Sequence, residues 1–426
     1  MLVFRSSSRV ILKSRNEQKQ TMFQKILSFV LRRRHYGRSV SFDEIAELYT
    51  SRLLTVFAIN IVNLFAAVYL YKLGYSLSFI VLFYAIFYLV RIPFAVLMAK
   101  FVAYYGPKHG TLLANLLRIP SLVAFAFVPI LGDHALWAIA AFGFFQQLSA
   151  SAYEISYITG FSKVKHAAFA GKEIGTMQMI EKLAKVVSPL VGGAIATAWS
   201  PQVTIILAAA LFAVSALPLF ASVEPTTTRV RLKVRGFPWR LALPSVVSQS
   251  VVGFDFVASG TIWALFVTVF VFTGVGDTIY VALGGLASLG VLVSIAAAWM
   301  FGQLVDRHKG DVLLVAGIIV NTITHLFRPF IQTPAGVMGV SVVNESATSA
   351  YTLPFTRAVF DVADSSGYRI TYIMFSEMFL AFGAALSCSI IFGLLHLFDA
   401  KAAFTVFFVF AAFYELIMLV CRRAAR

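Results

Sequence analysis

The sequence predicts an all-α integral membrane protein with twelve transmembrane helices in two sets of six. Hydrophobic residues make up 59% of the 426 residues and charged residues only 13%, and the mean hydropathy is +0.84. A soluble domain usually has about 25% charged residues, so this chain cannot cover a water-facing surface in the ordinary way. Apolar stretches of about 20 residues, the length that crosses a bilayer, recur along the chain, and one long polar segment divides them.

Charges, glycines and prolines mark the boundaries of twelve apolar stretches. The first six are predicted at residues 52–71, 77–103, 110–131, 134–160, 172–198 and 201–222. The last six are predicted at residues 241–272, 276–303, 311–331, 335–360, 367–397 and 400–421. Some of these stretches are longer than a bilayer requires, which a tilted helix accommodates.

The polar segments divide the chain into five predicted parts. These are a basic leader at 1–50, an N-terminal six-helix bundle at 51–222, a linker at 223–240, a C-terminal six-helix bundle at 241–421 and a tail at 422–426. In the leader, apolar residues at helical spacing precede three arginines, which fits either an amphipathic helix on the membrane surface or a disordered basic tail. Both cysteines, Cys388 and Cys421, lie in apolar stretches and are predicted to be packing residues.

The positive charges predict the orientation of the chain in the membrane. Lys and Arg residues concentrate in the leader, the linker, the tail and every second loop, whereas the other loops contain only Lys72 and Lys401. Because cytoplasmic loops are rich in these residues, both termini are predicted to be cytoplasmic and the protein to lie in a cell membrane. The net charge of +16 therefore reflects orientation, and no nucleic-acid partner is expected.

A polar loop occurs twice, after the second and after the eighth span. The second copy reads FGQLVDRHKG and the first reads AKFVAYYGPKHG, so Ala103 occupies the position that Asp306 occupies in the other copy. A second internal match pairs Glu181 with Glu377, each of which follows a glycine by ten residues. Internal repeats of this kind are typical of transporters built from two related halves.

The loop that contains Asp306 resembles the cytoplasmic loop signature of the major facilitator superfamily, in which a glycine precedes an Asp-Arg pair and basic residues. In the fifth span, the sequence SPLVGG is similar to an element of the family's proton-coupled exporters, and its residues of interest are Pro189, Gly192 and Gly193. The resemblance implies two bundles related by a pseudo-two-fold axis, a cavity lined by spans one, four, seven and ten, and alternating access. The chain departs from the family pattern at Ala103 and in span four, which lacks the arginine usual in proton-coupled exporters.

The repeated loop is predicted to act as a conformational latch on the cytoplasmic side. Asp306 can bind the N-terminus of a neighbouring helix, and the adjacent basic residues can pair with carboxylates or lipid headgroups. A solvated turn is the alternative interpretation. The latch residues are Gly302, Asp306, Arg307 and Lys309 in the second copy, with Gly106 and Lys108 in the first.

Ionisable and amide side chains inside the spans are the candidate substrate or proton-coupling sites, because such residues are costly in a membrane. The candidates are Asp255, Glu345, Glu181, Glu377, Glu154, Arg118, Arg91, Asn60, Asn63, Gln147 and Asn344. Asp255 and Glu345 have no partner nearby in the sequence, so they are the preferred candidates.

Several of these charges could instead pair with one another. Glu181 and Lys185 lie one helical turn apart and could neutralise each other. Arg118 is expected to pair with a carboxylate of another span, such as Glu154. Arg91 could instead bind backbone carbonyls of a neighbouring helix.

Two further groups of residues have predicted structural roles. His325 and Arg328 are expected at the outer rim of span nine. Gly284, Gly285 and Gly290 are expected to permit close packing of span eight against its neighbours.

The sequence lacks the motifs of several other function classes. It has no HExxH motif, no metal-spaced acid pair and no Ser/His set, so no enzyme and no metal site is predicted. It has no GxxxxGK[ST] loop either, and no cofactor is predicted. The predicted function is proton-coupled efflux of a small organic solute by a monomer, with the lipid bilayer and protons as further partners. Uptake of an anionic or amphiphilic metabolite and lipid translocation are the alternatives.

Overall fold

A computed structural model describes residues 42–63, 65–164, 170–220, 229–306 and 310–423. The first six long helices are α1 (Phe42–Asn63, continued by Ala66–Lys72), α2 (Leu77–Tyr105), α3 (Pro107–Phe127), α4 (Ala135–Val164), α5 (Ala170–Ala198) and α6 (Pro201–Ala216). The last six are α7 (Trp239–Val257), α8 (Ile279–Asp306), α9 (Gly310–Phe327), α10 (Pro334–Ser365), α11 (Arg369–Leu397) and α12 (Ala400–Glu415).

The prediction of an all-α membrane protein is confirmed. Among the described residues, nine helices are long and apolar enough to cross a membrane. The other three, α4, α5 and α10, are 30, 29 and 32 residues long and contain more polar side chains. Each long helix coincides with one predicted span, although α1 begins earlier than expected, at Phe42.

The helices form two six-helix bundles related by a pseudo-two-fold axis. In the first bundle, α1 packs against α5, α2 against α4, and α3 against α4 and α6. The same pairings recur six helices later, because α7 packs against α11, α8 against α10, and α9 against α10 and α12. The two bundles meet where α2 packs against α11 and where α5 packs against α8. When each helix number is shifted by six, the α2–α11 contact becomes the α8–α5 contact and the reverse, as a two-fold axis requires.

One end of the molecule, here called the distal end, carries the turns between α1 and α2 and between α7 and α8. There the Lys72 amine donates hydrogen bonds to the carbonyl oxygens of Val275 (3.0 Å) and Gly276 (3.3 Å). The Thr197 hydroxyl donates to the carbonyl oxygen of Asp277 at 3.0 Å. Both contacts join the first bundle to the second, so the bundles touch at the distal end.

The opposite end, here called the linker end, carries the segment between α6 and α7. The backbone N–H of Val230 donates to the carbonyl oxygen of Ala103 at the end of α2 (3.0 Å). The Thr371 hydroxyl, at the start of α11, donates to the carbonyl oxygen of Lys233 (2.6 Å). The linker therefore contacts both bundles beside the first copy of the repeated loop.

Part of the predicted latch lies outside the described residues. This applies to Arg307, to Lys309 and to the side chains in the last turns of α8, which include Gly302 and Asp306. The leader helix is also outside. Gly106 ends α2 with a φ of 95°, and Lys108 lies in the first turn of α3. The latch and the five-part division of the chain remain predictions.

Glycines set how closely the helices approach one another. A methyl group on Gly284 of α8 would overlap the backbone oxygen of Pro189 in α5, so the predicted close packing is present there. A methyl group on Gly285 would meet nothing within 4 Å in the described part of the chain, so the predicted close packing is absent there. Within the second bundle, a methyl group on Gly383 of α11 would overlap the backbone oxygen of Ser250 in α7.

The Gly383→Ala variant is expected to lower the stability of the second bundle by about 1–3 kcal/mol, because α7 and α11 must separate to accept the methyl group. Gly393→Ala is the matched control on the same helix, where an added Cβ meets nothing within 4 Å. The control should be neutral or slightly stabilising. Thermal unfolding in detergent measures both, and equal unfolding temperatures would contradict the close approach.

Candidate functional site

A buried ion pair joins the two bundles. Arg91 of α2 binds the Glu377 carboxylate of α11, with Nη2 at 2.6 Å and Nε at 3.1 Å from Oε2. The two side chains are only 10% and 6% exposed. The suggestion that Arg91 binds backbone carbonyls was wrong, because its donors point at a carboxylate of the other bundle.

Arg118 lies deep in the first bundle, next to this pair. Its Nε donates to the Ser149 hydroxyl of α4 at 2.9 Å, and its guanidinium lies 5.4 Å from the centre of the Phe212 ring. Glu154 is partly buried and close enough to interact electrostatically with both Arg91 and Arg118. The expected hydrogen-bonded pair of Arg118 with Glu154 is not formed among the described contacts, because the serine takes its place.

Glu181 of α5 has a partner inside its own bundle. Arg52 of α1 approaches it with Nη2 at 2.7 Å and Nε at 2.9 Å from Oε1. The Arg52 guanidinium also lies over the rings of Tyr157 and Tyr153, at 4.1 and 5.1 Å from their centres. The suggested neutralisation of Glu181 by Lys185 was therefore wrong, since Arg52 of another helix pairs with this carboxylate.

A second polar link between the bundles comes from Lys182, which the sequence analysis did not select. Its amine donates to the hydroxyl groups of Ser294 on α8 (2.8 Å) and Ser349 on α10 (2.9 Å). Glu345 is partly buried on α10 and interacts electrostatically with Lys182 and Lys185. The sequence signal for Lys182 was its position beside Glu181 within a span.

Asp255 lies in a closed network inside the second bundle. Its carboxylate accepts hydrogen bonds from the Ser259 hydroxyl (2.6 Å) and the Tyr351 hydroxyl (2.7 Å). His325 Nε2 lies 3.0 Å from the same carboxylate. Asp255 is only 4% exposed, so it does not open into the space between the bundles in this conformation.

Arg328 completes this network. Its Nη2 donates to Asn344 Oδ1 (2.7 Å) and to the Ser259 hydroxyl (2.9 Å), and its Nη1 lies 3.0 Å from His325 Nδ1. The guanidinium lies 5.2 Å from the centre of the Trp263 ring. The prediction that His325 and Arg328 form an outer rim was wrong, because each residue is 1% exposed.

The local backbone of α7 helps to form this network. A turn of π-helix at Ala258–Ile262 follows Val257, and it contains Ser259. Single π turns often occur at functional sites. Here the turn places the Ser259 hydroxyl between Asp255 and Arg328.

The amide candidates have different environments. Asn60 donates to the carbonyl oxygen of Val56 in its own helix (2.7 Å), and Asn63 is exposed. Gln147 is buried, and its Oε1 has no hydrogen-bond partner among the described residues. Of these four amides, Asn344 joins a charged cluster within the described contacts.

The glycines of span five lie at two helix contacts. A methyl group on Gly192 would press against the backbone of Ile61 in α1, and one on Gly193 would overlap the backbone oxygen of Tyr280 in α8. The second contact joins the bundles near the distal end. One of the two glycines therefore lies at the interface between the bundles, and the role of the element remains a prediction.

Comparison with known proteins identifies the architecture. The chain resembles a solved POT family transporter in complex with 5-aminolevulinic acid (10% identity, 90% of this chain and 96% of that one covered, TM-score 0.70). It also resembles a peptide transporter POT in complex with sulfate (12% identity, 89% and 94% covered, TM-score 0.68) and the nucleoside transporter NupG (13% identity, 89% and 98% covered, TM-score 0.63). At these identities the likeness shows the fold alone.

The sequence comparisons provide the family. No curated protein matches the chain. The profile of the Major Facilitator Superfamily, however, matches residues 48–376, which is most of the chain and reaches from α1 into α11. With the two-bundle fold and its transporter neighbours, this match shows that the chain belongs to the Major Facilitator Superfamily of secondary transporters.

Proposed function

We propose that this transporter couples the export of a small organic solute to the entry of protons, and that Glu377 is a coupling carboxyl. The observation that carries the proposal is the Arg91–Glu377 ion pair, because it is buried and joins the two bundles. Alternating access requires the bundles to change their contact, and a contact made of opposite charges depends on the protonation of its acid.

The coupling step follows from the cost of a buried charge. A proton that binds Glu377 forms an O–H bond and removes the negative charge, which leaves Arg91 buried without a counter-charge. Breaking a buried ion pair in this way costs about 3–5 kcal/mol, so α2 and α11 separate and water solvates the guanidinium. When Glu377 faces the other side it returns the proton to water, and the pair forms again.

Lys182 also links the two bundles, and its hydrogen bonds support a contact between this side chain and the solute. Among the described contacts its amine donates to two hydroxyl groups, and Glu345 acts on it through electrostatics without a hydrogen bond, so an anionic group of a solute can replace the hydroxyl groups. This observation favours the second candidate function, transport of an anionic metabolite. Export is the first choice because the span-five element resembles that of exporters, and a plasma-membrane location with cytoplasmic termini is part of the same proposal.

A double-mutant cycle tests the ion pair. Arg91→Gln and Glu377→Gln should each lower the stability of the protein by about 3 kcal/mol, because each leaves one buried charge unpaired. The double variant should lose clearly less than the sum of the two single losses. Thermal unfolding in detergent measures all four proteins, and additive losses would show that the pair does not interact.

Proton coupling is tested in liposomes loaded with ethidium, a drug-like cation, under an imposed proton gradient. Glu377→Gln should abolish gradient-driven transport while exchange of ethidium at equal pH continues, because the conformational change no longer depends on a proton. Glu181→Gln is the matched control, since Glu181 pairs with Arg52 within one bundle. Gradient-driven transport that is unchanged in Glu377→Gln would exclude this carboxyl as the coupling site.

The charge preference of the solute is tested with benzoate as an anionic probe. Lys182→Gln should weaken benzoate binding about tenfold, which corresponds to about 1.4 kcal/mol, and should leave ethidium binding unchanged. Lys401→Gln, in the first turn of α12, controls for the overall charge. An equal loss for both probes would assign Lys182 a structural role and would contradict the anionic-solute candidate.

A further inference from the structure

The network around Asp255 ends at a second buried carboxyl group, Glu415 of α12. Glu415 is 2% exposed, and its Oε1 has no hydrogen-bond partner in the described part of the chain. One oxygen each of Asp255 and Glu415 and a ring nitrogen of His325 all lie within 4.8 Å of one another. Three helices, α7, α9 and α12, thus bring two acids and an imidazole together inside the second bundle.

The hydrogen bonds indicate the charge of every member of the network other than Glu415. The guanidinium of Arg328 has only donors, so His325 Nδ1 accepts from it at 3.0 Å. The ring hydrogen is therefore on Nε2, which donates to Asp255, and the imidazole is neutral. Asp255 accepts from His325, Ser259 and Tyr351 and is satisfied as an anion. Arg328 then balances Asp255, and no further cation among the described residues balances Glu415.

Within the described part of the chain, the surroundings of Glu415 supply no other counter-charge. The titratable or charged groups that face it are Asp255 on α7, His325 and Arg328 at the end of α9, and Tyr351 on α10. Asn321 lies beside it, is completely buried, and has neither amide atom in a hydrogen bond of normal geometry. An ionised Glu415 would be a second negative charge in this buried space, which is strongly unfavourable.

A bound metal ion would also neutralise Glu415, but the network opposes it. His325 would have to bind a metal through Nε2, and that atom carries the ring hydrogen while Arg328 donates to Nδ1. The remaining ligands would be two carboxylates beside a guanidinium, which repels a cation. A proton needs only one free carboxylate oxygen, and Glu415 provides it.

We propose that Glu415 is a proton-binding site inside the second bundle, occupied in this conformation and separate from the Arg91–Glu377 pair. Asp255, which the sequence favoured, remains ionised as the partner of Arg328. When another conformation brings water or Arg328 to Glu415, its O–H bond breaks, the electron pair stays on the carboxylate and the proton passes to water.

Infrared spectroscopy of the full-length chain in liposomes tests this site. With carbon-13 in the carboxyl groups of its glutamates, the protein at pH 7 should show the carbonyl band of a protonated glutamic acid in apolar surroundings. Glu415→Gln should remove this band, while the matched control Glu345→Gln, a partly buried carboxyl on α10, should retain it. A band that persists in Glu415→Gln would overturn the proposal.

A second variant covers the case in which Glu415→Gln does not fold. Asn321→Leu removes the amide beside Glu415 and should shift the frequency of the same band, and an unmoved band would contradict the assignment.

Unfolding temperatures in sodium, zinc or choline chloride distinguish a bound proton from a bound metal ion. If sodium or zinc raised the unfolding temperature of the unaltered protein but not that of Glu415→Gln, Glu415 would bind a metal ion and the proton-binding proposal would be overturned. The band is independent of transport, so the ethidium assay and this assay can fail separately.

Discussion

The cost of an unpaired charge inside a membrane is the constraint on which the arrangement of this protein depends. Three arginines described within the spans each meet this constraint through a different contact. Arg91 pairs with an acid of the other bundle, and Arg52 pairs with an acid of its own bundle. Arg328 joins the hydrogen-bond network that contains Asp255. Because each of these contacts joins two or three helices, the charges help to specify how the helices pack.

The interface between the bundles changes in character along its length. Toward the distal end it consists of backbone approaches at Gly193 and Gly284, with the Lys72 amine on two carbonyl oxygens. Deeper in the membrane it consists of the Arg91–Glu377 pair and of Lys182 on two hydroxyl groups. The distal contacts use neutral acceptors and close packing, so they do not respond to protons. The ion pair does respond, which places the proposed proton control in the interior rather than at the distal end.

The sequence predicted the spans well because span length and polarity depend on local composition. It could not predict partners, because those are set by tertiary packing. Glu181 shows the difference, since the sequence offers Lys185 one turn away and the fold brings Arg52 from another helix instead. His325 and Arg328 were misplaced for the same reason, because nothing local shows that α7 and α10 cover them. Glu415 was missed although a single acid in an apolar stretch is itself a signal.

The internal repeat explains how the two bundles divide their tasks. Glu181 and Glu377 are equivalent positions on α5 and α11, yet the first pairs within its bundle and the second pairs across the interface. Ser294 is the counterpart of Arg91 in the internal repeat, because the same sequence offset relates Asp306 to Ala103. The Arg91–Glu377 link and the Lys182–Ser294 link therefore lie at nearly equivalent positions. One link is an ion pair between α2 and α11, and the other is an amine on hydroxyl groups between α5 and α8. Protonation of an acid can break only the first. In the proposed cycle the α2–α11 contact therefore senses protons, while Lys182 exchanges its hydroxyl partners for a solute.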